Sequence, residues 1–279
     1  MTMHDRSSII YLDMNKLSPE RRAQVISPLV EGNSIRATCR MTGAAKGTVL
    51  KLLAEFGQAC AEYQDKAFHN LPCRRIQCDE IWSFCYAKEK NVPQEVRGVF
   101  GFGDVWTWTA IDADSKLVPS WAIGGRGADA ANEFLRDLAD RLANRVQLTT
   151  DGHKVYLNAV ENVFGIDIDY AMLVKVYSPA KCIGTETQVV QGDPDPRHIS
   201  TSYVERQNLT MRFGMRRFTR LTNAFSKKVE NLAHAVALHF MHYNFVRVHK
   251  TLGTTPAVAA GVADHEWRIA EIVNLLESN

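Results

Sequence analysis

From Arg74 onward the hydrophobic pattern changes, and the order of segments that follows limits the possible folds more than any other feature of the chain. Ile76, Cys78, Ile81, Trp82, Phe84 and Tyr86 read as a largely buried strand. Residues 99–111, rich in aromatic and β-branched side chains, predict a second strand. Asp112-Ala113-Asp114-Ser115-Lys116 has the composition of a hairpin turn, and residues 117–123 return as a third strand. Past the loop Gly124-Gly125-Arg126-Gly127, a helix from about Asp129 carries Phe134, Leu135, Leu138 and Leu142 as its apolar stripe. Residues 146–150 form a short strand ending at Asp151-Gly152, residues 154–164 a helix, and residues 170–176 a fifth strand. The polar stretch 185–200, with Asp193-Pro194-Asp195-Pro196, reads as a loop. The order βββαβαβ followed by helices predicts an α/β fold, a mixed five-stranded sheet with helices on its faces.

The part before Arg74 is helical in pattern. Ser18-Pro19-Glu20 is a helix start, with Ser as cap and Pro in the first turn. Val25, Ile26, Leu29 and Val30 continue that helix to about Gly32. Ser34 can cap a short second helix over 35–41, Thr42-Gly43 is a turn, and a third helix spans 45–60 with Val49, Leu52, Leu53 and Phe56 inside. Short helix, tight turn and longer helix make a helix-turn-helix pattern. Lys46, Thr48 and Lys51 then face outward where a recognition helix meets DNA. The alternative is a plain helical bundle used for protein contacts. Residues 62–71, polar and followed by Pro72, read as a linker. The chain thus divides into a helix-turn-helix domain with linker (1–70), an α/β domain (71–250) and a helical tail (251–279). A net charge of +2 leaves any nucleic-acid surface to local clustering. The six cysteines lack paired C-x-x-C spacing, so they read as reduced, mostly buried thiols. No apolar run is long enough to cross a membrane, the first residues do not make a signal peptide, and Met14 offers an alternative start.

Three carboxylates carry the functional reading. Asp79 lies inside the first buried strand, where a charge is expensive unless paired or bound to metal. Asp151 sits at the carboxyl end of the fourth strand, the edge where open α/β sheets place their sites. Glu205 heads a late helix and is followed by Arg206, Arg212, Arg216, Arg217, Arg220, Lys227 and Lys228 without an intervening acid. Read as one helix, Glu205, Asn208, Arg212 and Arg216 share a face. Each feature has an ordinary alternative: an ion pair of Asp79 with Arg74, a simple turn at Asp151-Gly152, a solvated basic helix. Together they are more specific. Two carboxylates about 4 Å apart repel by roughly 4 kcal/mol at an effective dielectric of 20. Divalent cations with oxygen ligands offset that repulsion and leave positions open for water and phosphate.

Asp79-Glu80-Ile81-Trp82-Ser83-Phe84, Thr149-Thr150-Asp151 with Tyr156, and Glu205-Arg206-Gln207-Asn208-Leu209-Thr210-Met211-Arg212 resemble the DDE transposases of bacterial insertion sequences, the IS-one family in particular. The tail Asn244-Phe245-Val246-Arg247-Val248-His249-Lys250, with Leu252 and Thr255-Pro256-Ala257, is similar to the closing motif of many such enzymes. The resemblance implies a ribonuclease H-like catalytic domain in which Asp79, Asp151 and Glu205 hold Mg²⁺, with Mn²⁺ able to substitute. Arg212 takes the place of the family's basic residue one helical face after the Glu. Glu80 becomes a neighbour that points away, since successive strand residues face opposite ways. The implied partners are double-stranded DNA, as element ends and target, and further copies of the chain in a homodimer or higher oligomer. The implied setting is the bacterial cytoplasm at the nucleoid, with no membrane. Expected DNA contacts are Lys46, Thr48, Lys51, Arg126, Asn208, Arg212, Arg216, Arg217 and Arg220. His234, His239 and His242 lack zinc-motif pairing and read as packing or phosphate contacts. A regulator that binds DNA without catalysis and a nuclease that cleaves without joining are the competing functions.

Overall fold

The computed structural model describes residues 16–178, 181–219 and 223–277. The alternative start at Met14 and the expected DNA contact Arg220 lie outside the described residues. One mixed sheet carries six strands in the order β3-β2-β1-β4-β5-β6. They are β1 (Arg75–Cys85), β2 (Gly103–Asp112), β3 (Ser120–Gly124), β4 (Gln147–Asp151), β5 (Asp169–Ser178) and β6 (Lys181–Gln191). β1, β2 and β3 form antiparallel pairs, β4 lies parallel to both β1 and β5, and β6 returns antiparallel on β5. The first five strands make the expected mixed, ribonuclease H-like sheet.

The sixth strand replaces part of the expected loop at 185–200. Ile183, Thr185, Thr187 and Val189 are β-branched at alternate positions and favour a strand once β5 offers its edge. Residues 183–190 are all exposed, so no hydrophobic alternation marks them. β2 also begins later than expected: Val99 and Phe100 lie in turns before it, with their side chains exposed.

Helices α4 (Ala128–Arg141) and α5 (Val155–Phe164) cover one face of the sheet, and α6 (Ser202–Gly214) covers the other. Alternate residues of β1 serve the two faces. Glu80 accepts from the Tyr156 hydroxyl of α5 (3.4 Å), whereas Gln77 Oε1 accepts the N–H groups of Tyr203 (2.8 Å) and Val204 (3.2 Å) at the start of α6. Gln77 thus satisfies two N–H groups of the first turn of α6 and fixes that helix over Asp79.

The N-terminal helices are α1 (Pro19–Val30), α2 (Ile35–Thr42) and α3 (Lys46–Ala67). Ser18 caps α1 by accepting from Arg21 N–H (3.2 Å). Gly43 ends α2 at φ +70°, a left-handed conformation that glycine adopts without strain. The expected linker at 62–71 is instead the last turns of α3 and its buried exit. Gln64 donates to the Ala237 carbonyl (3.2 Å), Phe68 stacks on Phe245 (5.9 Å), and the Leu71 N–H donates to the Arg141 carbonyl (2.9 Å). α3 packs along α7 (Val229–Met241), and one continuous core runs from Val25 to Val273 through the sheet. The tail joins the same core. α8 (Pro256–Ala259) is capped by Thr255, α9 (Ile269–Asn274) packs on α1, and Tyr63 meets Trp267 at 4.9 Å.

The closing motif has a structural task. Asn244 is fully buried and grips the backbone of Val118, accepting from its N–H and donating to its carbonyl, both at 3.0 Å. Among the described residues no helix is long and apolar enough to cross a membrane.

Candidate active site

The parallel register of β1 and β4 pairs Cys78 with Thr150, which brings the next residues, Asp79 and Asp151, side by side where β4 ends. Oxygens of Asp79, Glu80 and Asp151 lie within 4.8 Å of one another. Asp79 accepts the N–H of Glu80 (2.9 Å) and the side-chain amide of Asn208 on α6 (2.8 Å). Asp151 accepts the N–H of His153 (3.0 Å). Among the described residues, neither of these two aspartates is paired with a basic side chain.

Glu80 and Glu205 do have such partners. Glu80, expected to point away, belongs to the cluster, and its side chain is only 1% exposed. Arg126 grips it through Nε (2.9 Å) and Nη2 (2.8 Å), and His153 Nε2 stands 3.9 Å away. Arg126 in turn lies over the ring of Trp106 at 4.3 Å. Glu205 lies outside the 4.8 Å cluster and is exposed. It accepts from Lys175 of β5 (2.7 Å) and from Thr201 (3.1 Å).

Burial is the main cause that pushes the Asp79 carboxyl up to about 7, followed by the charges of Asp151 and Glu80 and, more weakly, Glu205; the Glu80 N–H opposes the rise. Burial and Asp151 likewise raise Glu80, against the pull of Arg126 and His153. A carboxyl whose folded pKa exceeds its unfolded value binds its proton more tightly when folded. The metal-free protein should therefore lose stability as pH rises from about 4 to about 7, by up to about 4 kcal/mol from Asp79 alone. In EDTA, Asp79→Asn should be more stable than wild type at pH 8, with the difference shrinking toward pH 4. Denaturant melts of both proteins across that range check this, and a constant difference would remove the raised Asp79 carboxyl from the account.

The other expected contacts are scattered. Lys46 and Lys51 are exposed at the start of α3, where Lys51 lies 3.6 Å from Glu55, and Thr48 is half-buried. Arg126 and Asn208 are committed to Glu80 and Asp79. Arg212 is half-buried on α6. Arg216 does not share its stripe, because α6 ends at Gly214, whose missing side chain leaves room for the His239 ring; a Cβ there would meet Cε1 at 2.8 Å. Arg216 is exposed in the 3₁₀ turn that follows. Arg217 turns inward to Ser226 Oγ (2.7 Å), and burial lowers its pKa to about 10. Sequence reasoning missed Lys175 and His153. Lys175 is the charged residue in the otherwise apolar run 170–176, the kind of exception that marks a paired or functional group.

No family model matches the chain, and no curated protein matches it. Distant likenesses appear among solved structures. The simian T-cell lymphotropic virus intasome in complex with a PP2A regulatory subunit is 17% identical over 86% of this chain and 73% of the other, with a TM-score of 0.37. The piggyBac transposase synaptic complex with hairpin DNA is 8% identical over 98% and 73%, with a TM-score of 0.43. The Mos1 mariner paired end complex with Mn is 8% identical over 86% and 78%, with a TM-score of 0.29. The chemistry of the site rests on the chain's own residues.

Proposed function

We propose that the chain is a DDE-type DNA transposase that cleaves the ends of an insertion sequence and joins them to target DNA. One observation carries this reading: Asp79 and Asp151 abut at the end of β4 without a counter-charge, with the Asp79 carboxyl raised to about 7. Such a pair suits divalent cations with oxygen ligands, Mg²⁺ foremost. Bound there, they would lower the pKa of an attacking oxygen and stabilise the leaving oxygen of a phosphodiester. Asn208 orients Asp79, and the Glu80–Arg126 pair closes the buried side of the site. Glu205 is the better third ligand. Its bond to Lys175 is exposed and worth well under 1 kcal/mol, whereas freeing Glu80 would break a buried carboxylate away from Arg126 and Tyr156.

The short α2, the Gly43 turn and the exposed start of α3 with Lys46 and Lys51 suit recognition of element ends in the major groove. Arg206 and Arg216, exposed on α6 and in the turn that follows it, suit phosphate. Arg216→Ala should weaken binding to all duplex DNA alike and reduce the log–log salt slope by about 0.9. Arg217→Ala should leave the slope unchanged and lower thermal stability instead. A fluorescence titration at four salt concentrations separates the two, and equal slopes for Arg216→Ala and wild type would take Arg216 off the DNA path.

The decisive experiment incubates the full chain with labelled DNA from the borders of its own gene. Mg²⁺-dependent nicks at fixed positions and joined products are expected. Unspecific nicking without joining would point to a nuclease, and inertness with every divalent cation would sink the proposal.

A further inference from the structure

The four carboxylates around the candidate site fall into two kinds. Asp79 and Asp151 have no basic partner among the described residues, while Glu80 and Glu205 each hold a cation supplied by the chain, Arg126 and Lys175. The two built-in cations differ in how firmly they are fixed. Arg126 grips a carboxylate 1% exposed and lies on Trp106. Lys175 and Glu205 are each 42% exposed, and Thr201 is a second donor to the same Glu205 oxygen. An exposed ion pair of this kind exchanges partners at small cost.

Lys175 is also well placed. Asp151 pairs with Leu173 across the β4–β5 ladder, and Lys175 stands two residues further along β5, hence on the same face and just past the end of β4. Its ammonium holds the Glu205 carboxylate at 2.7 Å, so a divalent cation at Asp79 and Asp151 would have to draw that carboxylate away from it. A compact charge on a flexible stem suits a handover from carboxylate to phosphate.

We propose that Lys175 is a resident cation of this site. It neutralises Glu205 while the site is empty of metal. As the site loads, Glu205 leaves Lys175 for the cation held by Asp79 and Asp151, and the released ammonium turns to a DNA phosphate. The inference rests on the transposase reading of the site, and it makes Lys175 a positioning residue that regulates the third ligand and one phosphate contact.

The test titrates the full chain with Mn²⁺, followed by electron paramagnetic resonance, in wild type, Lys175→Met, Lys175→Arg, Glu205→Gln and the Lys175→Met/Glu205→Gln double variant. Lys175→Met removes the competitor for Glu205 and should tighten Mn²⁺ binding about threefold. Lys175→Arg, which keeps the charge, should bind as wild type does. In the Glu205→Gln background Lys175→Met should change nothing, which a double-mutant cycle reads directly. In DNA binding with Ca²⁺ present, the wild-type salt slope should exceed that of Lys175→Met by about 0.9, and in EDTA the two slopes should coincide. Unchanged or weaker Mn²⁺ binding in Lys175→Met, the same tightening without Glu205, or a slope difference that persists in EDTA would each overturn the proposal. A wild-type protein whose Mn²⁺ binding is indifferent to Asp79→Asn would overturn the underlying site as well, which distinguishes the two failures. Lys175 is exposed, so melting curves of its variants should match wild type and exclude misfolding as the cause.

Discussion

Asp79→Asn, Asp151→Asn and Glu205→Gln should each lower Mg²⁺-dependent DNA cleavage by on the order of a thousandfold, about 4 kcal/mol of barrier. Each change keeps the size of the side chain and removes one negative charge. Joining should fall with cleavage, because both steps place the phosphodiester at the same carboxylates. DNA binding should persist, since Lys46, Lys51 and Arg216 are exposed apart from the carboxylate cluster. The three variants should not be alike in stability. Asp79→Asn removes a buried charge, and with it the repulsion from Asp151 and Glu80, that together raise its carboxyl to about 7, and should melt higher than wild type in EDTA. Glu205→Gln touches an exposed pair and should melt as wild type does. Glu80→Gln should show the opposite pattern, with cleavage within about tenfold of wild type but a lower melting temperature, because it weakens a buried carboxylate–guanidinium contact. Cleavage of labelled end DNA and melting curves, measured side by side, decide. A fully active Glu205→Gln with an inactive Glu80→Gln would move the third ligand from α6 to β1.

The third carboxylate shows how much of the site was legible in the sequence. Buried strands announce themselves by apolar runs, so β1, β4 and β5 followed from pattern, while the joint site of Asp79 and Asp151 was what the family resemblance implied. β6 did not, because an exposed edge strand needs no apolar face and Thr, Glu and Gln fill it. Glu80 was set aside by strand alternation, which describes where Cβ points rather than how far a long side chain reaches. The basic run after Glu205 reads as one helix because arginine is helix-compatible, yet it breaks at Gly214, where packing on His239 decides. The polar stretch 62–71 resembles a linker because few of its residues, among them Tyr63, Gln64, Phe68 and Leu71, face inward there, and their partners, Trp267, Ala237, Phe245 and Arg141, lie far along the chain.

Removal of residues 1–70 should leave a chain that does not fold into a stable domain. α3 buries Val49, Leu52, Leu53, Phe56 and Cys60, largely against α7, and Phe68, itself buried, stacks on Phe245. Burial of each large apolar side chain contributes roughly 1.5–3 kcal/mol, so their loss amounts to on the order of 10 kcal/mol, comparable with the whole stability of an ordinary domain. The apolar side of α7, including Leu232 and Val236, would face water, and Trp267 would lose Tyr63. A single substitution tests the same interface more gently. Gly57 lies inside α3, where alanine would ordinarily gain about 1 kcal/mol. Here an added Cβ would sit 2.4 Å from the Cβ and 2.5 Å from the Cα of His234, too close for a flexible side chain to relieve. Gly57→Ala should therefore destabilise the protein by roughly 1–3 kcal/mol, the range for overpacking, and lower its melting temperature by several degrees. Circular dichroism melts of the full chain, Gly57→Ala and the 71–279 fragment make the comparison. If the fragment melts cooperatively near the full-length temperature and Gly57→Ala melts at or above wild type, the N-terminal helices form a domain of their own and DNA recognition is separable from the catalytic fold.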